Sequence, residues 1–335
     1  MNKFSWCDAR SVEEAVKLAD STVSDAINNP GREHSILKSG GIDVLDLMKE
    51  GLISPVNVVN ILNIPGLDGI TFERKEGLRI GANARLSAME EDENIKSLYT
   101  ALHQAVAKAA TPQLRNASTL GGNLAQRNRC WYFRSIDHPC FRKGGNTCYA
   151  QNGENQYHAI MNNGTCCSVH ASSIATALLA YNAWVEIVGP GGAKREVNME
   201  EFFVTPFTDI RRENVLRKDE LITAVIVPAP AGRTRSYYIK EGERDSFDWS
   251  LGDVAVVVEY IGNSCKNVAI ALGAAAPVPV RARDAEGFLT GKNLSPEIAE
   301  ATAEAAMRNA TPLAKNAYKV RTFKTIIRRA LLATV

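Results

Sequence analysis

The chain has 335 residues, 45% of them apolar and 23% charged, enough to bury a large core in two or three domains. Its formal net charge of +2 is too mild to point to nucleic acid or a membrane surface as a partner. The apolar runs around 174–188 and 268–280 are interrupted by Thr, Asn, Gly or Pro, so no membrane span is expected. The first eight residues lack an apolar run behind a basic start, and the expected location is cytoplasmic, in a reducing compartment that disfavours disulfides.

In chain order, Ser11-Val12-Glu13-Glu14 reads as a capping box opening a short helix through Leu18. A strand over Ser35 to Leu37 runs into Ser39-Gly40-Gly41, followed by a helical pattern from Val44 to Met48. Strand, glycine pair, helix is a geometry that offers free backbone N–H groups to an anion, and it also describes an ordinary tight turn. Val58 to Ile64 reads as a strand and Ile70 to Ile80 as a hairpin turning at Lys75-Glu76-Gly77. Ile95, Leu98, Leu102 and Val106 recur at spacings of three and four, which predicts one amphipathic helix with His103 beside its stripe. Beyond residue 170 the pattern predicts a helix over Ile174 to Ala180 and strands over Val185 to Val188, Arg195 to Val197 and Leu221 to Val227. Pro228-Ala229-Pro230-Ala231-Gly232 then breaks the composition, as at a domain boundary. Two strands follow, Val254 to Tyr260 and Val268 to Gly273, then a helix capped at Ser295 with Pro296 first, and a final helix carrying Val320, Phe323, Ile327 and Leu331 on one face.

Seven cysteines occur, and four of them, Cys130, Cys140, Cys148 and Cys166, fall within 37 residues just after the turn Thr119-Leu120-Gly121-Gly122-Asn123. Clustered cysteines in a chain of this size suit metal ligation better than disulfides. The gaps of nine, seven and seventeen residues contain no Cys-x-x-Cys pair, which counts against a zinc knuckle. An iron-sulfur core tolerates wide spacing when loops wrap it. Arg127, Arg129, Arg134, Arg142 and Lys143 would offset thiolate charge, while Trp131, Tyr132, Phe133 and Phe141 would exclude water. Iron-sulfur, zinc and unliganded buried cysteine all stay open on the residues alone.

Several segments together resemble one family, the FAD-binding (medium) subunits of molybdenum hydroxylases of the xanthine dehydrogenase and carbon monoxide dehydrogenase type. Lys38-Ser39-Gly40-Gly41-Ile42-Asp43-Val44 resembles the first flavin loop and Leu114 to Asn123 the second. Asp219-Glu220-Leu221-Ile222, Tyr238-Ile239-Lys240, Gly273 to Arg281 and Asn316-Ala317-Tyr318-Lys319 extend the likeness over nearly the whole chain. The cysteine insert is similar to that of the flavin subunits of bacterial molybdenum aldehyde oxidoreductases and of 4-hydroxybenzoyl-CoA reductase. The resemblance implies an α+β fold: a two-part FAD-binding domain of the PCMH (vanillyl-alcohol oxidase-like) type over residues 1–229, with the insert at about 128–168, and a CO dehydrogenase flavoprotein-like domain over 230–335.

The same resemblance implies a 4Fe-4S cluster on Cys130, Cys140, Cys148 and Cys166, the last chosen over Cys167 because it lies four before His170. It implies FAD held by Ile36, Leu37, Lys38, Ser39, Gly40, Gly41, Ile42, Asp43 and Val44, and by Thr119, Gly121, Gly122, Asn123, His170, Ile222 and Lys240. The sequence departs from the family pattern at Ile42, where a hydroxyl residue is usual, and at Ala171 and Ser173, where proline and aspartate are usual. The implied activity is electron transfer, from a molybdopterin-binding large subunit and a 2Fe-2S small subunit through FAD to an external acceptor. The complex implied is an aldehyde-oxidising one, and a zinc-stapled scaffold without flavin, the beta subunit of a hydroxybenzoyl-CoA reductase-like enzyme and a stand-alone flavoprotein oxidase are the readings to be separated from it. No substrate-pocket motif supports the oxidase, and co-export with a signal-bearing partner is the alternative location.

Overall fold

The computed structural model of the chain describes residues 2–245 and 247–335. Helices and sheets alternate in an α+β arrangement built on three sheets. The first is parallel, with Asn57–Asn60 between Ser5–Asp8 and Ser35–Lys38. Parallel neighbours need crossovers, supplied by the helices Val12–Leu18, Val23–Asn28 and Ile42–Lys49. Ser11 caps the first of these by accepting from the Glu14 amide at 3.1 Å, and Glu14 reaches back to the amide of Arg10 at 2.7 Å, one residue beyond the expected box.

The second sheet has five antiparallel strands in the order Ile70–Glu73, Gly77–Gly81, Leu221–Val227, Trp184–Val188, Lys194–Asn198. Leu78, Ile80, Val185, Ile187, Val225 and Val227 point into a shared core with Leu102, Val106, Ile174 and Leu178 from the covering helices. The third sheet is an antiparallel meander, Arg233–Glu241, Gly252–Ile261, Ser264–Gly273 and Val280–Arg281. The helices Arg283–Leu289, Pro296–Met307 and Tyr318–Leu332 pack on it through Leu289, Ala303, Phe323, Ile327 and Leu331. Tyr238, Ala255 and Ala271 of this sheet also belong to the core of the preceding unit, so apolar packing runs across the sequence break at 228–232.

Two expected elements differ. The helix predicted over 95–106 is two helices, Glu93–Leu98 and Thr100–Ala107, because Tyr99 leaves the helical region at φ −126°, ψ 54°. Its buried ring lies edge-on to Tyr181, and its hydroxyl faces the Pro228 carbonyl at 3.2 Å, a tertiary demand that overrides helical periodicity. The strand expected over 58–64 ends at Asn60, whose side chain donates to Asp8 at 2.6 Å and accepts from Lys38 at 3.2 Å, and the chain then turns. The sequence reading also passed over the edge strand Ser5–Asp8 and the helices Val23–Asn28 and Pro112–Ala117, each only a few residues long.

Residues 128–168 form little regular structure beyond the turn Phe141–Lys143 and the helix Tyr149–Asn152. The segment is tied to the C-terminal unit instead. The Ile160 and Met161 amides donate to Ala275 at 2.9 and 3.0 Å, and Asn316 Nδ2 donates to the carbonyls of His158 and Ala159 at 3.0 and 3.1 Å. Lys319 Nζ, fully buried, donates to His158 and Ala274 carbonyls at 3.0 and 2.7 Å. Such hydrogen bonds supply the backbone partners that a buried loop otherwise lacks.

A glycine-lined cleft beside a four-cysteine cavity

A cleft between the first two sheets is lined by Ser39, Gly40, Gly41, Ile42, Asp43 and Val44 on one wall and by Thr119, Gly121, Gly122 and Asn123 on another. Leu37, Ile61, Leu221 and Ile222 supply apolar floor. Gly41 is the left-handed N-cap of the helix Ile42–Lys49, at φ +83°, and brings no side-chain cap, which leaves the first-turn amides free toward a bound anion. A Cβ on Gly40 would run into the Ala117 carbonyl, and one on Gly121 would lie 3.0 Å from Ala82 Cβ and 3.1 Å from its carbonyl oxygen. A Cβ on Gly122 would meet nothing but Thr119 Oγ1, at 3.0 Å. Gly40 and Gly121 are therefore demanded by backbone packing, whereas Gly122 leaves open room in the cleft itself.

A hydroxyl chain joins the two glycine loops. Ser39 Oγ donates to Asn83 Oδ1 at 2.7 Å, which uses its only proton, so Thr119 Oγ1 donates to Ser39 at 2.9 Å and in turn accepts from the Gly122 amide at 3.3 Å. Asn83 is anchored by donating to the Ile61 carbonyl at 2.7 Å. The sequence reading missed Asn83, which belongs to no glycine motif and becomes a site residue only through this contact.

Four of the expected flavin residues are not part of the cleft lining. Ile36 is buried in the apolar core beneath the first sheet. Lys38 turns away to Asn60, with its ammonium 5.0 Å from the Trp6 ring centre. Lys240 donates to the Lys108 carbonyl at 3.0 Å, and burial pulls its pKa below the usual lysine value. His170 packs edge-on against Phe203, ring centres 4.4 Å apart; its Nε2 has no partner and burial pushes its pKa down to about 4. Of the positions that depart from the family pattern, Ile42 lines the cleft, whereas Ser173 lies buried beside Ser172, whose hydroxyl reaches Asn123 at 2.5 Å and caps the helix Ser173–Ala180.

Beside the cleft, Cys130, Cys140, Cys148 and Cys166 line one small cavity with Phe133, Phe141, Tyr149 and Arg142. Cys167 stands behind Cys148, 3.9 Å sulfur to sulfur, and faces the Asn163 carbonyl at 3.4 Å. Among the described residues no three His, Cys, Asp or Glu side chains gather tightly enough to hold a single metal ion. Cys130 Sγ lies 3.2 Å from His158 Nε2, and Cys166 Sγ accepts from Arg142 Nε at 3.2 Å. Burial pushes the Cys130 thiol up to about 12, whereas the hydrogen bond from Cys167 pulls Cys148 down to about 6.

Arginines lock the two places together. Asp43 of the cleft accepts from the Arg127 amide at 2.8 Å and pairs with Arg129 at 3.0 Å and Arg134 at 2.6 Å. Arg129 also lines the cleft, and the next residue, Cys130, lines the cysteine cavity. Deeper in, Glu213, its side chain 11% exposed, holds Arg142 at 3.4 Å, Arg127 at 3.6 Å and Asn128 at 2.6 Å. Burial opposes the ionisation of Glu213, but the two guanidinium charges prevail and its pKa lies below the usual carboxylate value.

A glycine cleft between a parallel and an antiparallel sheet, backed by a meander with three helices, offers free amides for an anion above an apolar floor. Residues 2–230 match the FAD binding domain in molybdopterin dehydrogenase and residues 237–334 the CO dehydrogenase flavoprotein C-terminal domain, so the chain belongs to the FAD-binding subunits of molybdenum hydroxylases. It is 32% identical to the aldehyde oxidoreductase FAD-binding subunit PaoB of Escherichia coli over 89% of each chain. It is 28% identical to the carbon monoxide dehydrogenase medium chain of Hydrogenophaga pseudoflava, over 92% of this chain and 88% of that one. The solved structure of carbon monoxide dehydrogenase from the same organism superposes with a TM-score of 0.74 at 25% identity, over 99% of this chain and 97% of the other. The chain is therefore an oxidoreductase subunit that binds FAD. Among the described residues no helix is long and apolar enough to cross a membrane.

Proposed function

We propose that this chain is the FAD- and 4Fe-4S-carrying electron-transfer subunit of an aldehyde-oxidising molybdenum hydroxylase complex. It would work beside a molybdopterin-binding large subunit and a 2Fe-2S small subunit and deliver electrons to an external acceptor. The observation that carries the reading is the adjacency of Arg129 on the glycine cleft and Cys130 on the cysteine cavity.

The residues present fit both groups. Gly40 and Gly41 with the free first-turn amides, and Gly122 with Thr119, suit a pyrophosphate, while Leu37, Ile61 and Ile222 suit an apolar ring system. When bound, FAD supplies the exchange of one or two electrons with partners of different kinds. The hydroxyl chain through Ser39, Thr119 and Asn83 fixes the distance between the glycine loops. At the second place, four sulfurs surround a common cavity rather than a single point, with buried N–H donors and aromatic walls, which suits a multinuclear cluster. A zinc ion would draw its four sulfurs to about 3.8 Å from one another at ordinary Zn–S lengths, and the sulfur pair seen at 3.9 Å, Cys148 with Cys167, includes a cysteine outside the proposed ligand set. Such a cluster supplies one-electron storage next to the flavin.

The aldehyde assignment rests on the name of the Escherichia coli relative. The test is cofactor analysis of the complex purified anaerobically. One FAD released by acid, with four irons and four acid-labile sulfides per chain, is expected; near one zinc and no iron would overturn the cluster, and absence of releasable flavin would overturn the non-covalent cleft assignment.

A further inference from the structure

Each sulfur around the cavity has different company. Cys130, Cys140 and Cys148 are met by backbone amides, Cys148 also by the Cys167 thiol, and Cys130 also faces His158. Among the described residues Cys166 alone of the four receives a hydrogen bond from a permanently charged group, Arg142 Nε at 3.2 Å, with the Ser168 hydroxyl at the same distance. Arg142 is 1% exposed and cannot swing away, because one Nη is held by Glu213 at 3.4 Å and by the Arg212 carbonyl at 3.3 Å. Glu213 is shared with Arg127, so two guanidinium charges and one carboxylate leave a net positive charge buried beside the sulfurs.

We propose that Arg142 sets the reduction potential of the cysteine site through its charged N–H···S bond to Cys166, with Glu213 as the positioning residue that holds the guanidinium there. The proposal rests on the 4Fe-4S reading. Reduction adds one electron to the site and no proton to Arg142, whose guanidinium stays protonated throughout, so the residue acts by electrostatics alone. A donor charge fixed against a sulfur favours the more electron-rich state, and burial protects the effect from screening by salt. Charged hydrogen bonds are worth enough to change a redox ratio by about tenfold, or about 59 mV for a one-electron couple.

The experiment is a potentiometric titration of the purified complex followed by electron paramagnetic resonance, in the parent protein, Arg142→Gln and Arg142→Lys, with iron and acid-labile sulfide measured on each sample. Arg142→Gln with iron retained is expected to titrate at a more negative potential, the reduced-to-oxidised ratio at the parent midpoint falling about tenfold. Arg142→Lys, which keeps the charge but not the planar fork, should fall between the two. An iron-replete Arg142→Gln protein with an unchanged midpoint overturns the proposal and leaves the cluster assignment standing. Parent protein without iron overturns both. Should the variants lose iron, nitrogen hyperfine spectroscopy of the reduced parent labelled with ¹⁵N in its arginine side chains decides: a coupled guanidinium nitrogen supports the bond, and its absence overturns it.

Discussion

Gly121 and Gly122 stand side by side, yet substitution should affect them differently. Gly121→Val places a side chain against Ala82, 3.0 Å from its Cβ, and is expected to lower thermal stability as well as FAD content. Gly122→Val points into the cleft and is expected to leave the apoprotein's melting temperature within a few degrees while abolishing FAD binding, read by flavin released on acid precipitation. His170 carries a pH prediction. Burial depresses its folded pKa to about 4, below the ordinary value of 6.5, so the unfolded chain binds the extra proton first. Stability from this residue is complete above pH 6.5 and is lost as pH falls toward 4, at up to about 1.4 kcal/mol per pH unit. Melting curves across that window should flatten in His170→Phe, which keeps the packing on Phe203; an unchanged slope would sink the assignment.

The cysteine segment is an element without regular secondary structure, so its order depends on its anchors. Replacing Cys130, Cys140, Cys148 or Cys166 with serine is expected to remove or destabilise the proposed cluster, whereas Cys7 and Cys265 lie outside the cavity and should tolerate the change in iron analysis. Cys167 lies behind Cys148, and its replacement is expected to retain iron. The other anchor is Asp43, which accepts from the Arg127 amide and pairs with Arg129 and Arg134. Asp43→Ala removes one of two carboxylates from each of Arg129 and Arg134, which keep Asp46 and Glu50, a loss of about 1.5–3 kcal/mol at charge-assisted hydrogen-bond strength. It should loosen flavin and cysteine segment together, seen as faster FAD loss and earlier proteolysis within 128–168. Loss of FAD with an unchanged proteolysis pattern would contradict that coupling.

At the scale of the whole molecule, the proposed function makes partner subunits the source of this chain's electrons. The chain is expected to purify with a molybdenum subunit and a 2Fe-2S subunit, and alone to reduce no acceptor with an aldehyde as donor. In the assembled complex, Gly122→Val should stop turnover with external acceptors while aldehyde still reduces the molybdenum centre in a stopped-flow trace. Substantial aldehyde oxidation by the isolated chain would show the partnership to be wrong. Lys240→Ala offers a separate check on the flavin role proposed for that lysine, because the structure bonds it to the Lys108 carbonyl outside the cleft. Unchanged turnover in Lys240→Ala would assign it to that contact alone.

The elements legible in the sequence were those with long, uninterrupted patterns or explicit punctuation. Leu221–Val227 and the helix after Ser295 were read from alternation, length and caps, and the glycine loops were read because local conformational freedom is written in residue type. The four-cysteine cluster was legible in the residues alone, while the family likeness implied the cofactors and chose Cys166 over Cys167. Tertiary structure decided what no local pattern encodes: that Tyr99 breaks a helix to reach the Pro228 carbonyl, that Asn83 joins two loops distant in sequence, and that Lys240 bonds to Lys108. It also decided that Arg142, one of five similar cations near the cysteines, is the one that reaches a sulfur. Hydrogen bonds between side chains far apart in sequence depend on how the sheets and loops pack, and that packing is a property of the whole chain rather than of any window within it.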